Sequence, residues 1–379
     1  MEVYNIGMIG FGFMGKMHAY GYKTIPLYYG DLPWKTNLTG VCTSSVSTAQ
    51  KAKEPLDFEF ATTNPDEIIN REDIQIINVC TPNIYHKDVI IKALKAGKHI
   101  YCDKPLAVNY AQAQEILGTM KENKEKGSVC QVVLQNRFFP ATLKAKELIQ
   151  EGRLGNILTF RACYLHSGSV DPVKPIGWKQ DKYIGGGGVL LDLGSHVLDM
   201  IYYLLGEYRS VMAKTQVLYP KRPDKKGVWL DIAAEDAVYM TVRMKNNSLG
   251  TVEASKIATG TNDELRFEIH GDKGAIRFNL MDPNWLEFYD NTLPEGSYGG
   301  TRGFTKIECV QRYPKPGGDF PSSKGSIGWV RAHVHCLYSF LDSVFYKKQA
   351  VPSFEDGAYI QYVMEQAYRS DTEQQWMEL

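Results

Sequence analysis

The sequence predicts an α/β domain with a parallel sheet, followed by a domain built on a mostly antiparallel sheet. Strand and helix patterns alternate along the first third of the chain, and the β-branched run IQIINVC is typical of a strand buried on both faces. Between residues 207 and 312, strand patterns follow one another without helices and are separated by turns such as NNSLG and GDKG. The first arrangement indicates crossover helices over parallel strands, and the second indicates antiparallel hairpins.

Local patterns predict the individual elements. We expect strands at YNIGMIG, LTGVCTS, IQIINVCTP, KHIYCDKP, SVCQVVLQNRF and ILTFRACYLHSG, and helices at GKMHAYGYKTI, IYHKDVIIKALKAGKH, YAQAQEILGTMKENKEKG and ATLKAKELIQEGRLG. An apolar helix follows the four glycines at 185–188, two helices close the chain, and the Pro- and Gly-rich residues 313–328 predict a loop.

The composition is that of an ordinary globular protein. Of the 379 residues, 44% are hydrophobic and 23% charged, and 43 Lys+Arg balance 43 Asp+Glu. Without a basic excess or a basic run, no nucleic-acid binding is expected. No apolar run approaches about 18 residues and the first residues lack signal-peptide features, so no membrane span is expected. Seven scattered cysteines without a CxxC pair predict free thiols and a cytoplasmic location.

A glycine-rich turn near the N-terminus predicts a dinucleotide site. Gly10, Gly12 and Gly15 spell GxGxxG directly after the first predicted strand and before a helix. In that context the glycines permit a tight turn, the approach of a pyrophosphate, and close packing of helix and strand. The residues between them, Phe11, Phe13 and Met14, belong to the same predicted site. A purely structural turn is the alternative.

The end of the second strand leaves the choice between NAD and NADP open. An NAD site usually has Asp or Glu there, where the carboxylate grips the ribose hydroxyls. Here Thr43, Ser44 and Ser45 can hydrogen-bond either a hydroxyl or a phosphate. The segment offers no carboxylate to repel a 2′-phosphate and no arginine to hold one.

Further candidates follow the ends of later parallel strands, where open α/β sheets bind their ligands. The cofactor candidates are Thr81, Pro82, Asn83, His86, Asp103, Lys104 and Asn136, and Arg137 is a candidate for contact with a polyol. A lysine at a strand end can stabilise a developing alkoxide. Taken alone, however, a Lys-Pro pair in this position is usually a solvated lysine.

The segment GGGGVLLDLGSHVLDMIYYLLG places polar residues on an apolar helix. They recur at spacings of 4, 3 and 4, at Asp192, His196, Asp199 and Tyr203. One polar face on a buried helix should meet a cleft or hydrogen-bonding partners, and the glycines would give a nicotinamide ring room to approach. The alternatives are a flexible loop beside a core histidine, or a metal at Asp192 and His196, for which no third ligand is evident and which we do not expect.

Three side chains are weaker candidates, with plain packing as the alternative for each. Trp178 precedes the glycine run by seven residues and is a candidate for stacking near a nicotinamide. His166 follows a strand that enters the second domain, and His335 lies on a late helix. Either histidine is a candidate to line a sugar pocket.

The motifs and their order resemble those of the glucose–fructose oxidoreductase/inositol dehydrogenase (Gfo/Idh/MocA) family. The resemblance rests on GxGxxG, VCTPNIYH, DKP at 103–105 and GGGVLLDLGSH, and it covers nearly the whole chain. Two features depart from the pattern, namely DKP in place of the usual Glu-Lys-Pro and the missing acidic residue after strand two. The resemblance implies a Rossmann domain and an α+β domain with an open, mostly antiparallel sheet. We expect these parts at 1–137 (NAD(P) binding), 138–354 (substrate binding and oligomerisation) and 355–379 (a helix and tail packing back on the first domain).

The resemblance also implies an activity. Family members mostly oxidise or reduce sugars and cyclitols with NAD or NADP, and Lys104, Asp192 and His196 match their catalytic set. We expect Lys104 and His196 to share the acid/base and alkoxide-stabilising roles, and Asp192 to orient the substrate. The implied partners are a sugar or polyol and further copies of the chain, in a dimer or tetramer formed through the second sheet. The alternative is a redox sensor that binds the dinucleotide and catalyses nothing.

Overall fold

The computed structural model describes residues 1–310 and 315–379. These residues form two compact units. Unit 1 comprises residues 1–135, 315–323 and 329–361, and unit 2 comprises residues 136–310, 324–328 and 362–379. The domain boundaries expected at residues 137 and 354 stay a prediction.

Unit 1 begins with alternating strands and helices. In chain order these are β1 (Glu2–Ile9), α1 (Phe13–Tyr28), β2 (Trp34–Cys42), α2 (Val46–Lys53), β3 (Phe60–Thr62), α3 (Asp66–Ile69), β4 (Ile76–Val79), α4 (His86–Lys95), β5 (His99–Asp103), α5 (Tyr110–Glu122) and β6 (Cys130–Val133). The strands pair in the order β3-β2-β1-β4-β5-β6, and every pair is parallel. This is the order of a dinucleotide-binding doubly wound sheet, which confirms the predicted parallel sheet. β3 was not predicted, because a strand of three residues shows no alternation. The helices on either side of it, α2 and α3, were not predicted either.

Apolar strands and capped helices explain why these elements form. All four residues of β4 are buried, and two of them, Ile77 and Val79, share one core with apolar residues of α4 and α5. The side chain of Ser45 accepts the N–H of Thr48 and so caps α2, and Asn109 caps α5 by accepting the N–H of Gln112. Such caps satisfy backbone donors that a helix start leaves without partners.

The remaining elements build unit 2 and complete unit 1. In chain order they are α6 (Pro140–Gln150), β7 (Ile157–Leu165), α7 (Lys182–Gly185), α8 (Ser195–Leu205), β8 (Tyr208–Gln216), β9 (Lys221–Pro223), β10 (Trp229–Asp231), β11 (Ala237–Met244), β12 (Leu249–Ser255), β13 (Glu264–Gly271), β14 (Gly274–Asn279), β15 (Trp285–Asp290), β16 (Phe304–Glu308), α9 (Trp329–Phe345), α10 (Phe354–Glu373) and β17 (Met377–Glu378). Helix α9 belongs to unit 1, and the division between the units falls within α10. The two closing helices are confirmed.

A mixed sheet organises unit 2. In the described part of the chain, nine strands pair in the order β16-β15-β14-β13-β7-β12-β11-β8-β17. β7 and β12 run parallel, and the other neighbouring strands are antiparallel. The predicted, mostly antiparallel sheet is therefore confirmed. Residues 315–328 form no helix or strand, as expected for the loop predicted at 313–328; residues 311–314 lie outside the described part of the chain.

The apolar segment after the four glycines is not a regular α-helix throughout. Leu190–Gly194 form a π-helical turn, and α8 continues from it. By length and composition alone, the segment Lys182–Leu205 is long and apolar enough to cross a membrane, but 78% of its most apolar window is buried inside the protein. Helix α8 packs on β7 and β12. Burial of this kind is typical of a core helix and accounts for the apolar composition.

Candidate active site

In unit 1, the predicted cofactor residues gather at one edge of the parallel sheet. Gly10 follows β1, Thr43 follows β2, and Thr81 lies two residues beyond β4. Strand β1 is hydrogen-bonded to both β2 and β4, so these carboxyl ends are neighbours. The strand order reverses at this point, which is where doubly wound sheets form their ligand-binding crevice.

The structure accounts differently for each of the three glycines of the turn. Gly10 has a φ of +92°, and a Cβ there would lie 2.4 Å from the carbonyl oxygen of Cys80. A Cβ on Gly15 would lie 2.7 Å from the carbonyl oxygen of Gly10. By contrast, a Cβ on Gly12 would meet nothing within 4 Å. The fold itself thus requires the first and third glycines, whereas the second leaves open space.

That open space fits a dinucleotide pyrophosphate. Gly12 is the N-cap of α1, and the first turn of this helix contains no acidic residue. The N–H groups at a helix start attract anions, and no carboxylate opposes that attraction here. Beside the turn, Phe11 packs edge-on against Phe58, Phe13 is 76% exposed, and Met14 is half-buried.

Hydroxyl groups follow β2. The side-chain oxygens of Thr43 and Thr48 lie 2.6 Å apart, Ser45 caps α2, and Ser44 is exposed. No residue from 43 to 48 is acidic or basic. The segment therefore neither repels nor pairs with a 2′-phosphate.

Lys104 lies directly after β5, beside a buried histidine that fixes the local backbone. Its N–H donates to the carboxylate of Asp103 at 2.9 Å, and its side chain is half-buried. The ring nitrogens of His86 lie 2.9 Å from the carbonyl oxygen of Pro105 and 3.0 Å from that of Thr81. Burial lowers the pKa of its imidazole, and a neutral ring has one N–H, so it donates to one of these two carbonyl groups at a time.

Two of the residues after β4 that are predicted to bind the cofactor, His86 and Asn83, are buried and do not lie at an open edge of the sheet. His86 has no exposed surface, and its ring nitrogens face the carbonyl oxygens of Pro105 and Thr81. Asn83 is 5% exposed, whereas Thr81 and Pro82 are half-buried. Direct contact with a cofactor stays a prediction for all four residues.

In unit 2, a polar cluster lies at one edge of the nine-stranded sheet. In the parallel pair of β7 and β12, Leu165 is aligned with Ser255, and in the antiparallel pair of β7 and β13 it is aligned with Glu264. This register brings together the three residues that flank these strand ends: His166, Lys256 and Asp263. Lys256 and Asp263 were not among the predicted site residues, because local patterns do not reveal the register of strands far apart in the chain.

Asp192 lies in the π-helical turn, between two lysines. Its Oδ1 is 2.7 Å from Nζ of Lys179, and its Oδ2 is 2.9 Å from Nζ of Lys256. The side chains of Asp192 and Lys256 are 13% and 12% exposed, and that of Lys179 is 46% exposed. The carboxylate is therefore paired on its buried side with Lys256 and on its exposed side with Lys179.

Tyr164 connects His196 to a second carboxylate. Its ring lies edge-on to the imidazole of His196, with centroids 5.7 Å apart, and its hydroxyl donates to Oδ1 of Asp263 at 2.5 Å. Nε2 of His166 lies 2.9 Å from the same oxygen. Burial acts to raise the pKa of Asp263, but the hydrogen bonds from His166 and Tyr164 outweigh it and hold that pKa below its usual value. Burial, with Asp263, raises the pKa of Tyr164 well above its usual value, so the phenol keeps its proton.

The helix face predicted from spacing divides into two environments. Nε of Arg137 donates to Oδ2 of Asp199 at 2.9 Å and Nη2 donates to Oδ1 at 2.5 Å. The two side chains are 5% and 2% exposed, and the guanidinium also lies over the ring of Tyr203. Asp199 and Tyr203 therefore contact Arg137, whereas Asp192 and His196 belong to the polar cluster. The predicted contact of Arg137 with a polyol stays a prediction, and its partner in the structure is Asp199.

Two of the four glycines, Gly187 and Gly188, have a packing reason that corrects our explanation from the sequence. Gly186 has a φ of +84°. A Cβ on Gly187 would lie 2.1 Å from the hydroxyl oxygen of Tyr368, and a Cβ on Gly188 would lie 2.2 Å from the carbonyl oxygen of Glu235. At Gly187 and Gly188 the side-chain space is therefore filled by the protein itself and is not room for a nicotinamide ring.

The remaining candidates are less closely connected to these clusters. Trp178 is 37% exposed, and the ammonium of Lys179 lies 5.8 Å from its ring centroid. His335 lies in α9 of unit 1, is 1% exposed, and accepts a hydrogen bond from Nε of Arg331 at 2.8 Å. All seven cysteines are free, as predicted, and five are buried. Within residues 1–310 and 315–379, no group of three or more His, Cys, Asp or Glu side chains is arranged to hold a metal.

The fold and the glycine turn define an oxidoreductase that binds NAD, and comparison with known proteins identifies its family. Residues 4–132 match the oxidoreductase family with an NAD-binding Rossmann fold, and residues 142–277 match the GFO/IDH/MocA C-terminal domain. The chain belongs to the GFO/IDH/MocA family, and the resemblance inferred from its motifs is confirmed.

Relatives extend the match over the full chain. The levoglucosan dehydrogenase of Pseudarthrobacter phenanthrenivorans is 31% identical, over 100% of this chain and 99% of its own length. A levoglucosan dehydrogenase structure in complex with NADH and levoglucosan superposes with a TM-score of 0.94 at 32% identity, over 100% of this chain and 99% of the other. The myo-inositol 2-dehydrogenase of Thermotoga maritima is 29% identical, over 72% of this chain and 74% of its own length.

Proposed function

We propose that the protein is an NAD-dependent sugar dehydrogenase that transfers a hydride between a hydroxyl-bearing carbon of an uncharged sugar, cyclitol or anhydrosugar and the nicotinamide. The observation that carries the proposal is the polar cluster of unit 2, in which Asp192 lies between two lysines near the Tyr164–His196 pair. The full-length match to a levoglucosan dehydrogenase supports an anhydrosugar as the first substrate to test.

The charges of the cluster favour an uncharged substrate. Its two ammonium groups, Lys179 and Lys256, are both paired with Asp192, and the second carboxylate, Asp263, accepts two hydrogen bonds. The cluster thus holds two lysine ammonium groups and two carboxylates, so it offers no excess of positive charge to a sugar phosphate. Hydroxyl groups, in contrast, can exchange hydrogen bonds with carboxylate, imidazole and ammonium alike.

Lys104, Asp192 and His196 are the proposed catalytic residues. When bound, the oxidised nicotinamide supplies the hydride acceptor. His196 accepts the proton of the reacting hydroxyl, since an imidazole titrates near neutral pH, and Lys104 stabilises the developing alkoxide. Asp192 accepts a hydrogen bond from a neighbouring hydroxyl and so orients the sugar. In the reductive direction the proton moves the opposite way, from His196 to the oxygen of the reacting carbonyl group.

NAD is the proposed cofactor, held at the open space of Gly12 on the N-terminus of α1. The relatives' NADH complexes support this choice. Thr43, Ser44 and Ser45 would face the adenosine ribose, and because they carry no charge we expect NADP to be tolerated. Comparison of the two cofactors at equal concentration tests this directly.

We further propose a cytoplasmic homodimer or homotetramer. Seven free cysteines suit a reducing compartment. The nine-stranded sheet carries a groove of about 890 Å³, lined by both apolar and charged side chains, among them Met212, Tyr239, Met240, Phe267, Arg266 and Glu253. An open sheet face of this kind suits contact with a second copy, and sedimentation measurements check the expected dimer or tetramer.

The deciding experiment is turnover with NAD+ and NADP+ on levoglucosan, inositols and unphosphorylated hexoses, followed by absorbance of the reduced nicotinamide. The proposal expects turnover on at least one of these sugars and weaker turnover on the matching sugar phosphate. If none reacts, the reverse reaction is measured with NADH and keto-sugars. Cofactor binding by calorimetry without turnover in either direction would favour the second candidate, a dinucleotide-binding sensor.

A further inference from the structure

Two lysines that the sequence analysis did not assign hold the two oxygens of Asp192, and they differ in how firmly they are fixed. We propose that Lys256 is a positioning residue of the sugar site, whereas Lys179 is an exchangeable partner that yields Oδ1 of Asp192 to a substrate hydroxyl. The proposal rests on the proposed function, because it assigns how that site receives its sugar.

The surroundings of Lys256 make it a fixed anchor. Its N–H donates to the carbonyl oxygen of Asp236, and its own carbonyl oxygen accepts the N–H of Ser169, both at 2.8 Å. It directly follows β12, whose neighbours on both sides are paired strands of the sheet. With 12% of its side chain exposed, against 13% for Asp192, the pair is shielded from water, and breaking it would remove the more buried of the two lysines that compensate the carboxylate.

The surroundings of Lys179 make it exchangeable. It lies in a 3₁₀ turn of three residues, Trp178–Gln180, and its side chain is 46% exposed. An ion pair with one solvent-exposed partner contributes little free energy, because water solvates the separated charges almost as well. A sugar hydroxyl that donates to Oδ1 can therefore replace this ammonium, while the ammonium returns to solvent.

The two contacts together predict which oxygen of Asp192 meets the sugar. Oδ2 stays with Lys256, so the plane of the carboxylate is fixed before substrate arrives. Oδ1 is the oxygen on the exposed side and becomes the acceptor for a hydroxyl next to the reacting carbon. A positioning residue of this kind acts on turnover through Asp192, since misplacement of a substrate by about 1 Å can cost about 100-fold in rate.

Steady-state kinetics test the two assignments with levoglucosan, or with the sugar from the panel that reacts fastest. We expect Lys256→Met to lower kcat by about 100-fold and Lys256→Arg to recover part of that loss. Lys179→Met removes the competitor for Oδ1, so we expect KM for the sugar to fall by about threefold, the scale of one exposed ion pair. Lys225→Met, an exposed lysine of the same unit, is the matched control and should change neither constant. A Lys256→Met enzyme with wild-type kcat, or a higher KM in Lys179→Met, would overturn the proposal.

Urea unfolding of the full chain tests the same asymmetry without any sugar. We expect Lys256→Met to lower the unfolding midpoint of the wild type but not that of Asp192→Asn, and Lys179→Met to have no such coupling. Equal coupling of both lysines to Asp192 would contradict the anchor. If Lys256→Met alone does not fold, the double variant with Asp192→Asn should fold, because the buried carboxylate that had lost its buried partner is then absent. If neither variant folds, loss of the ion pair is not the cause of the failure. If the wild type turns over no sugar, the proposed function fails, and the unfolding data still decide which lysine is the anchor.

Discussion

The carboxylate of Glu235 accepts the N–H of Gly188 at 3.0 Å, and a Cβ on Gly188 would lie 2.2 Å from the carbonyl oxygen of the same glutamate. Glu235 also accepts the N–H of Leu190 at 2.9 Å and the hydroxyl of Tyr368 at 2.8 Å. One buried side chain thus fixes the turn that leads into the π-helical segment containing Asp192. Burial raises the pKa of Glu235, and these hydrogen bonds counteract the shift.

Gly188→Ala should destabilise the protein. The added methyl group would overlap backbone atoms of Glu235, which cannot turn away as the end of a side chain can, so we expect a loss of about 1–3 kcal/mol in the free energy of unfolding. Urea denaturation measures it. The control is Gly118→Ala in α5, where a Cβ meets nothing within 4 Å and the change should stabilise by about 0.5–1 kcal/mol. Equal stability of the two variants would refute this account of the turn.

Gly12→Ala should separate cofactor binding from folding. A Cβ at Gly12 has open space in the free protein, so the unfolding midpoint should stay close to that of the wild type, with only the small loss expected for Ala at a helix N-cap. The same methyl group would occupy the space assigned to the pyrophosphate, and we expect the Kd for NAD+ to rise at least about tenfold, equivalent to about 1.4 kcal/mol. Isothermal calorimetry measures the Kd, and unchanged affinity would place the phosphates elsewhere.

His196→Ala should remove turnover while leaving the cofactor site intact. Loss of a general acid–base group lowers kcat by about 100- to 10,000-fold, and the Kd for NAD+ should stay within about twofold, because the glycine turn holds the dinucleotide. His270→Ala is a suitable comparison, since His270 is a half-buried histidine of β13 in the same unit. Wild-type kcat in His196→Ala would exclude the assigned role.

His99 should make unit 1 sensitive to acid. Burial lowers the pKa of His99 from 6.5 to about 4, and its neutral Nδ1 accepts the N–H of Val129 at 3.0 Å. Below pH 6.5 the unfolded chain takes up a proton that the folded chain refuses, so stability falls as the pH drops from 6.5 towards 4, and this group adds no further loss below that. Urea denaturation across this pH range should show that the free energy of unfolding declines less steeply with falling pH in His99→Asn than in the wild type. An identical slope would mean that other groups cause the acid sensitivity.

Much of the fold could be predicted because the relevant signals are local. Each strand, helix or turn signal, such as the glycine turn at 10–15, is contained in a few neighbouring residues. The order of these signals along the chain then predicts the parallel and antiparallel sheets. Where the local signal was weak the prediction failed, as for the three residues of β3. The spacing of Asp192 and His196 was visible in the same way, and so was Lys104 at the end of β5.

The sequence by itself determined the class of fold, the glycine turn and the residues that match the family's catalytic motif, since each depends on backbone geometry within one or two elements. Only the tertiary structure decided that Lys256 and Lys179 hold Asp192, that Arg137 is paired with Asp199, and that Glu235 requires Gly188. These pairs join residues brought together by sheet register and helix packing. Such partners are favoured because they compensate buried charges and fill space in the packed interior. Both effects depend on which residues become neighbours in the fold, and no local pattern in the chain specifies those neighbours.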